Sequence, residues 1–146
     1  MMPALVKVHQ KSGDEEWRVL VPGTTAGLGE ARAMAVDADG NIIAAGFFHD
    51  RDFGQQIVVI KLRPDSSTVW ISPIAGQHVG FADVANTLLV LKNNDVVVAG
   101  AINNAFAVLR LDGNTGAILL GWPPAISVPP PNRTSAANTA CRAEGQ

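Results

Sequence analysis

The chain has 146 residues, 11 of them basic and 13 acidic, for a net charge of −2, and it holds a single cysteine. That length supports one domain with a real core, since a domain of this size buries about two-thirds of the surface its unfolded chain exposes. The near-balanced charge leaves no footprint for neutralising phosphates, so nucleic acid is not an expected partner; Cys141 alone excludes an intrachain disulfide and a multi-cysteine metal site.

Charged residues make up only 16% of the chain, against about 25% in typical soluble domains. Fourteen glycines and nine prolines accompany an apolar share of 47%. Such a mixture predicts an all-β chain of short antiparallel strands joined by turns. The apolar runs, such as Ile57 to Ile60 and Val96 to Ala99, are far shorter than the about 20 residues a membrane-crossing helix needs. The opening "MMPALVKVHQ" lacks the basic region and uninterrupted apolar stretch of a secretory signal.

In chain order, "LVKVHQKSGDEEW" reads as the last strand of a preceding unit. An aromatic-bearing strand, Glu15 to Val21, then leads through a Gly-containing loop to a second strand, Ala31 to Asp37. "GEARAMAVDADG" contains good helix formers, but the run before Asp37 is only about two turns long and its later counterpart carries Val84, Thr87 and Val90, so it is assigned to a strand. A polar turn, "DADGN", follows, and a third strand ends at Ala45-Gly46. After the connection "FFHDRDFGQQ" comes a fourth strand, Ile57 to Arg63.

The same phrase then repeats. Thr68 to Ile74 carries the aromatic residue, Ala85 to Lys92 is the second strand, "KNND" is the turn, and the third strand ends at Ala99-Gly100. "AINNA" connects to Phe106 to Asp112. The shift that carries Gly46 onto Gly100 also carries Val8 onto Leu62, so the match exceeds one coincidence. The runs are rich in Val, Ile and Leu and bounded by Gly, Asn, Asp or Pro, as strands are. "GAILLGW" reads as the opening of a further unit, and residues 1–122 form the repeat domain. Residues 123–146, rich in proline and small polar residues, read as a disordered C-terminal tail.

These residues resemble the repeat of quinoprotein-like, PQQ-type β-propellers. There each four-stranded blade carries Asp-x-x-Gly-x, an apolar run and Gly, then an apolar strand, Leu-Asp, two free positions, Thr-Gly and a later Trp. "LDGNTGAILL" matches the second half with Leu111, Asp112, Thr115 and Gly116, while Leu120 occupies the Trp position. "VHQKSGDEEW" supplies Val8, Ser12, Gly13 and Trp17, with His9 in place of Asp. "LRPDSSTVW" is looser: Ser67 stands for the Gly and one residue is missing before Trp70. The resemblance covers about residues 5 to 121 and implies a partial β-propeller, about two blades of a ring that normally closes with four to eight.

Turn chemistry supports the same reading independently of the family. Asp39-Gly40 and Asp112-Gly113 supply the positive φ that hairpins favour, and Gly46 and Gly100 suit a bulge or close backbone approach. A Trp repeated once per unit, at Trp17, Trp70 and Trp122, is expected to pack between adjacent units rather than to form a stacking surface for a sugar or quinone.

Candidate sites are sparse. Asp37, Asp39 and Asn41 alternate as calcium ligands do, but Ile42 and Phe48 stand where such a loop wants Gly and Glu, so a hairpin is expected. "HDRD" gathers His49, Asp50 and Asp52, a composition able to bind metal, yet His9 and His78 lie in other segments and a solvated loop is the preferred reading. "NRT", at Asn132 to Thr134, fits a glycosylation pattern by chance. A quinone-dependent dehydrogenase would bring a Glu and Asn around calcium, a catalytic Asp and often a cysteine pair, and no residue here is assigned to those roles. The expectation is a non-catalytic binding or scaffolding module without a cofactor, whose partner is a protein, a small molecule or a glycan. Two other readings stand beside it: a fragment of a PQQ-dependent dehydrogenase, and a lectin-like homo-oligomer that completes a ring.

Overall fold

Tight turns between apolar strands leave this chain one way to satisfy its backbone: successive antiparallel pairing. The structure, a computed structural model, describes residues 4–20, 29–52, 54–75 and 82–119. Nine strands fall in these residues: β1 (Ala4–Val8), β2 (Glu15–Leu20), β3 (Gly29–Val36), β4 (Ile42–Asp50), β5 (Gly54–Leu62), β6 (Thr68–Ile74), β7 (Val84–Val90), β8 (Val96–Ile102) and β9 (Ala105–Leu111). The all-β, antiparallel character expected from composition is what the chain adopts. Trp122, Cys141, His78 and residues 123–146 lie outside the described residues.

The strands form three sheets, β1-β2, β3-β4-β5-β6 and β7-β8-β9, and an isolated bridge from Leu111 to Ile118 begins a further pairing beside β9. This grouping corrects the phase of the expected unit. The Trp-bearing strand β6 closes the sheet begun by β3 instead of opening the next one, because it pairs with β5 from Ile57↔Ile74 to Leu62↔Thr68. Likewise the segment running up to and past Trp17 forms two strands of one sheet, and Ile118, the described part of "GAILLGW" that pairs, bridges back to Leu111 beside β9.

The middle sheet is covered on both faces. Val58, Ile60, Leu62, Ala44 and Phe48 pack against Leu5, Trp17 and Val19 of the first sheet. Ile57, Val59, Ile43, Ala45, Trp70 and Ile74 pack against Ala85, Val96, Val98, Ile102, Leu109 and Leu111 of the third. Burial on both sides explains why β5 is a continuous apolar run instead of an alternating one. Each fully buried Ile, Leu or Val contributes about 1.5–3 kcal/mol relative to exposure.

The two Ala-Gly phrases have a common purpose. Ala31 pairs with Gly46 and Ala33 with Ala45, leaving Arg32 as an extra residue in a β-bulge. Ala85 pairs with Gly100 and Thr87 with Ala99, leaving Asn86 extra in the same way. A Cβ built on Gly46 would land on the carbonyl oxygen of Glu30, and one on Gly100 on that of Val84, so neither position admits a side chain. Gly46→Ala and Gly100→Ala are each expected to lower the unfolding free energy by about 1–3 kcal/mol through overpacking. Urea denaturation measures this, and an unchanged midpoint would count against the bulge as the reason for glycine.

Candidate functional site

The bulges aim two polar side chains along the edges of β3 and β7. Arg32 Nη1 donates to Asn86 Oδ1 at 2.8 Å, joining repeat-equivalent residues of the second and third sheets. Arg32 Nε also donates to Glu30 Oε1 at 3.2 Å, and its guanidinium carbon stands 5.3 Å from the centroid of the Phe47 ring. Further along the same edge Asn94 Nδ2 donates to Asp39 Oδ2 at 2.9 Å. On the other side of Arg32 lies a groove of about 260 Å³ lined by Ala4, Leu5 and Val6 of β1 and by residues 31–34 of β3.

Behind this edge, three cations occupy one strand position: Lys7, Lys61 and Arg110, each just before the last residue of its strand. Lys7 Nζ meets Glu16 Oε2 at 2.6 Å in a half-exposed pair. Arg110 is held by Asp95 through Nε at 2.9 Å and Nη2 at 2.5 Å. Lys61 is different, because its side chain is only 5% exposed; its Nζ contacts Asp37 Oδ2 at 2.7 Å and donates to the Gly113 carbonyl of the third sheet at 2.8 Å. Trp70, directly opposite Lys61 in the ladder, donates its Nε1–H to the same carbonyl at 3.1 Å. Trp17, opposite Lys7, donates in the equivalent way to the Pro64 carbonyl at 3.1 Å.

The expected turn at "DADGN" is a hairpin. Asp37 Oδ1 accepts the backbone N–H groups of Asp39 and Asn41, each at 2.9 Å, and Gly40 takes φ 81°. Burial pushes the Asp37 carboxyl up, but Lys61, the Asn41 side chain and the turn N–H groups outweigh it and hold it below the ordinary 3.8. Burial acts on Asp95 too, and Arg110, Asn93 and the Gly113 N–H likewise bring it below 3.8. Backbone N–H groups of Thr115 and Asn114, with the Thr115 hydroxyl, lower Asp112.

The other residues singled out in sequence fall as follows. Gly13 and Gly116 hold the left-handed position of their turns at φ 77° and 73°. In the middle turn Ser66, with φ 74°, takes that position; Ser67, matched to the glycine by sequence, instead donates its N–H and hydroxyl to Asp65. His49 and Asp50 end β4, and Asp50 Oδ1 accepts the Asp52 N–H at 2.8 Å, a turn-forming contact. Among the described residues no group of three or more His, Cys, Asp or Glu side chains is arranged to hold a metal ion. Sequence reasoning passed over Arg32, Asn86 and the Lys7, Lys61, Arg110 series; the basic residue one place before Val8, Leu62 and Leu111 was the visible signal for that series.

No protein-family model matches the chain, and no curated protein matches it.

Lys61→Met is expected to destabilise by about 3–5 kcal/mol, because it leaves the Asp37 carboxylate buried without its cation. Lys7→Met, at a pair in contact with solvent, is expected to cost at most about 1 kcal/mol. Equal losses in chemical denaturation would contradict the difference in burial. The pH dependence has a defined sign. Carboxyls depressed on folding add stability above their unfolded value, and that stability is lost as pH falls through the folded one. Stability is therefore expected to hold from neutral pH toward 3.8 and to decline below it, with a shallower decline in Asp95→Asn, as followed by urea midpoints at stepped pH.

Proposed function

We propose that this chain is a non-catalytic binding or scaffolding module built of quinoprotein-like β-propeller repeats. The observation that carries the reading is the contact between Arg32 and Asn86, which occupy the same place in successive repeats. Equivalent atoms of rotationally related units approach one another only near the axis of rotation. A direct bond between equivalent side chains on β3 and β7 is thus what radially stacked sheets with their first strands innermost produce. The second support is the donation of Trp17 to Pro64 and Trp70 to Gly113, the same contact made twice from one sheet to the next.

The non-catalytic part rests on how the buried charges are used. Asp37 and Lys61 neutralise each other while bracing a turn and the neighbouring sheet, and Asp95 and Arg110 brace the next turn. A module of this kind acts through its surfaces.

A homo-oligomer that completes a ring is the second reading, favoured by apolar residues on the two outward faces. Val6 and Val8 of the first sheet and Leu89 and Phe106 of the third are exposed. Light scattering on the full chain separates the two: the mass of one chain supports the module, and a mass of several chains supports the ring. Saturable binding of pyrroloquinoline quinone in the presence of calcium would overturn the non-catalytic reading.

A further inference from the structure

The repeat supplies its own template for what belongs in the groove beside β1. Lys7 and Lys61 are equivalent, so β1 corresponds to β5, and both are followed by a Trp-bearing strand, β2 or β6. Strand β5 is paired on both edges, by β4 and β6. Among the described residues strand β1 is paired by β2 alone, and its other edge faces the groove.

Side-chain exposure gives a second, independent sign. Leu88 and Val90 of β7 pack against the core between the second and third sheets, under cover of β3 and β4. Their repeat equivalents are Met34 and Val36 of β3, which are 65% and 60% exposed. The opposite parity shows the reverse: Ala33 and Ala35 are half-buried against the third sheet, whereas their equivalents Thr87 and Leu89 are exposed. Two large apolar residues of β3 therefore face solvent at the place where, one repeat later, a two-stranded hairpin lies.

We propose that this groove binds a β-hairpin equivalent to β3-β4, from a further unit of the same repeat. The second strand of that hairpin pairs with the free edge of β1 in the register that β4 keeps with β5. Its first strand lies over Met34 and Val36 as β3 lies over Leu88 and Val90. The chemistry of the occupant follows from the two examples in this chain. Its second strand reads as two apolar residues, then small or apolar ones, then Gly, as in Ile42–Gly46 and Val96–Gly100, so that the preceding strand can bulge. The bulged residue meets Arg32, whose guanidinium only donates, and so carries an acceptor as Asn86 does. A second copy of this chain in the same fold does not fit, because its β3-β4 and β7-β8 hairpins are already paired with β5 and β9. Strand addition of this kind draws affinity from main-chain hydrogen bonds and specificity from the side-chain pattern.

The inference rests on reading the chain as a repeat module, which mass and quinone binding test separately; the experiment here reports on the groove alone. A peptide of residues 29–50 of this sequence carrying Arg32→Asn, so that its bulged residue offers an acceptor, is fluorescently labelled and titrated into the full chain, and hydrogen exchange of β1 and peroxide oxidation of the full chain's Met34 are followed. Saturable binding with slowed β1 exchange and a several-fold slower Met34 oxidation is expected. The same peptide with Pro in place of Ala44 and Ala45, which removes ladder donors, is expected not to bind. Because an isolated hairpin is marginally stable in water, a second variant carries residues 29–54, with the same Arg32→Asn change, fused directly before Met1, which preserves the repeat spacing; it is expected to show the same protection. Binding by the proline peptide equal to that of the parent, or unchanged β1 exchange and Met34 oxidation in both experiments, would overturn the proposal. So would a Met34 already shielded in a self-associated chain without peptide, which would assign the groove to a second copy.

Discussion

A lysine buried to 5% exposure between two sheets is the constraint around which this fold is arranged. An ammonium in that position costs several kcal/mol in lost hydration unless its donors are met, and here they are met from two directions. Asp37 comes from the turn of the same sheet, and the Gly113 carbonyl from the third sheet. Trp70 adds its N–H to that carbonyl, so one backbone oxygen receives two donors from the neighbouring sheet. The spacing of the second and third sheets, the shape of the 37–41 turn and the path of the chain through Gly113 are fixed together. Gly113 has no freedom to vary, since a Cβ there would collide with the Asn94 carbonyl, and its own N–H is held by Asp95.

The bulges govern the opposite edge. An extra residue in β3 and in β7 rotates one side chain out of the ladder and increases the local twist of the strand. In this chain the two displaced side chains reach each other. The apolar interface thus has a hydrogen-bonded boundary on each side: Trp70 and Lys61 with Gly113 on one, Arg32 with Asn86 on the other. Apolar contact alone is non-directional, and these polar contacts set the rotation of one sheet on the next.

Much of this was legible from residues. Gly46 and Gly100 each face a carbonyl oxygen at close approach, Gly40 takes the positive φ of a hairpin turn, and Trp17 and Trp70 each donate to the next sheet, whereas the positive φ expected at Gly113 falls at Gly116. The phase of the unit was not legible, because an antiparallel meander repeats the same strand–turn–strand phrase whether a boundary falls before or after the Trp strand. Connection length carried the missing information: β5 and β6 are separated by the short 63–67 segment, and β6 and β7 by the longer 75–83. The groove beside β1 was invisible for another reason. Met34 and Val36 have the same apolar character as Leu88 and Val90, and only their three-dimensional surroundings distinguish a covered position from an open one.

The ion pairs show how such a repeat drifts while its geometry stays. The cation keeps its strand position in all three sheets, but its partner does not: Glu16 on the adjacent strand for Lys7, Asp37 at the start of a turn for Lys61, and Asp95 at the end of the equivalent turn for Arg110. Long cationic side chains accept a partner from any of these places, since the attraction depends on separation and burial and not on which residue supplies the carboxylate. A glycine that avoids a collision has no such latitude. Sequence comparison within this chain therefore preserves the positions set by sterics and blurs those set by charge, and the charged network is the part that three dimensions were needed to find.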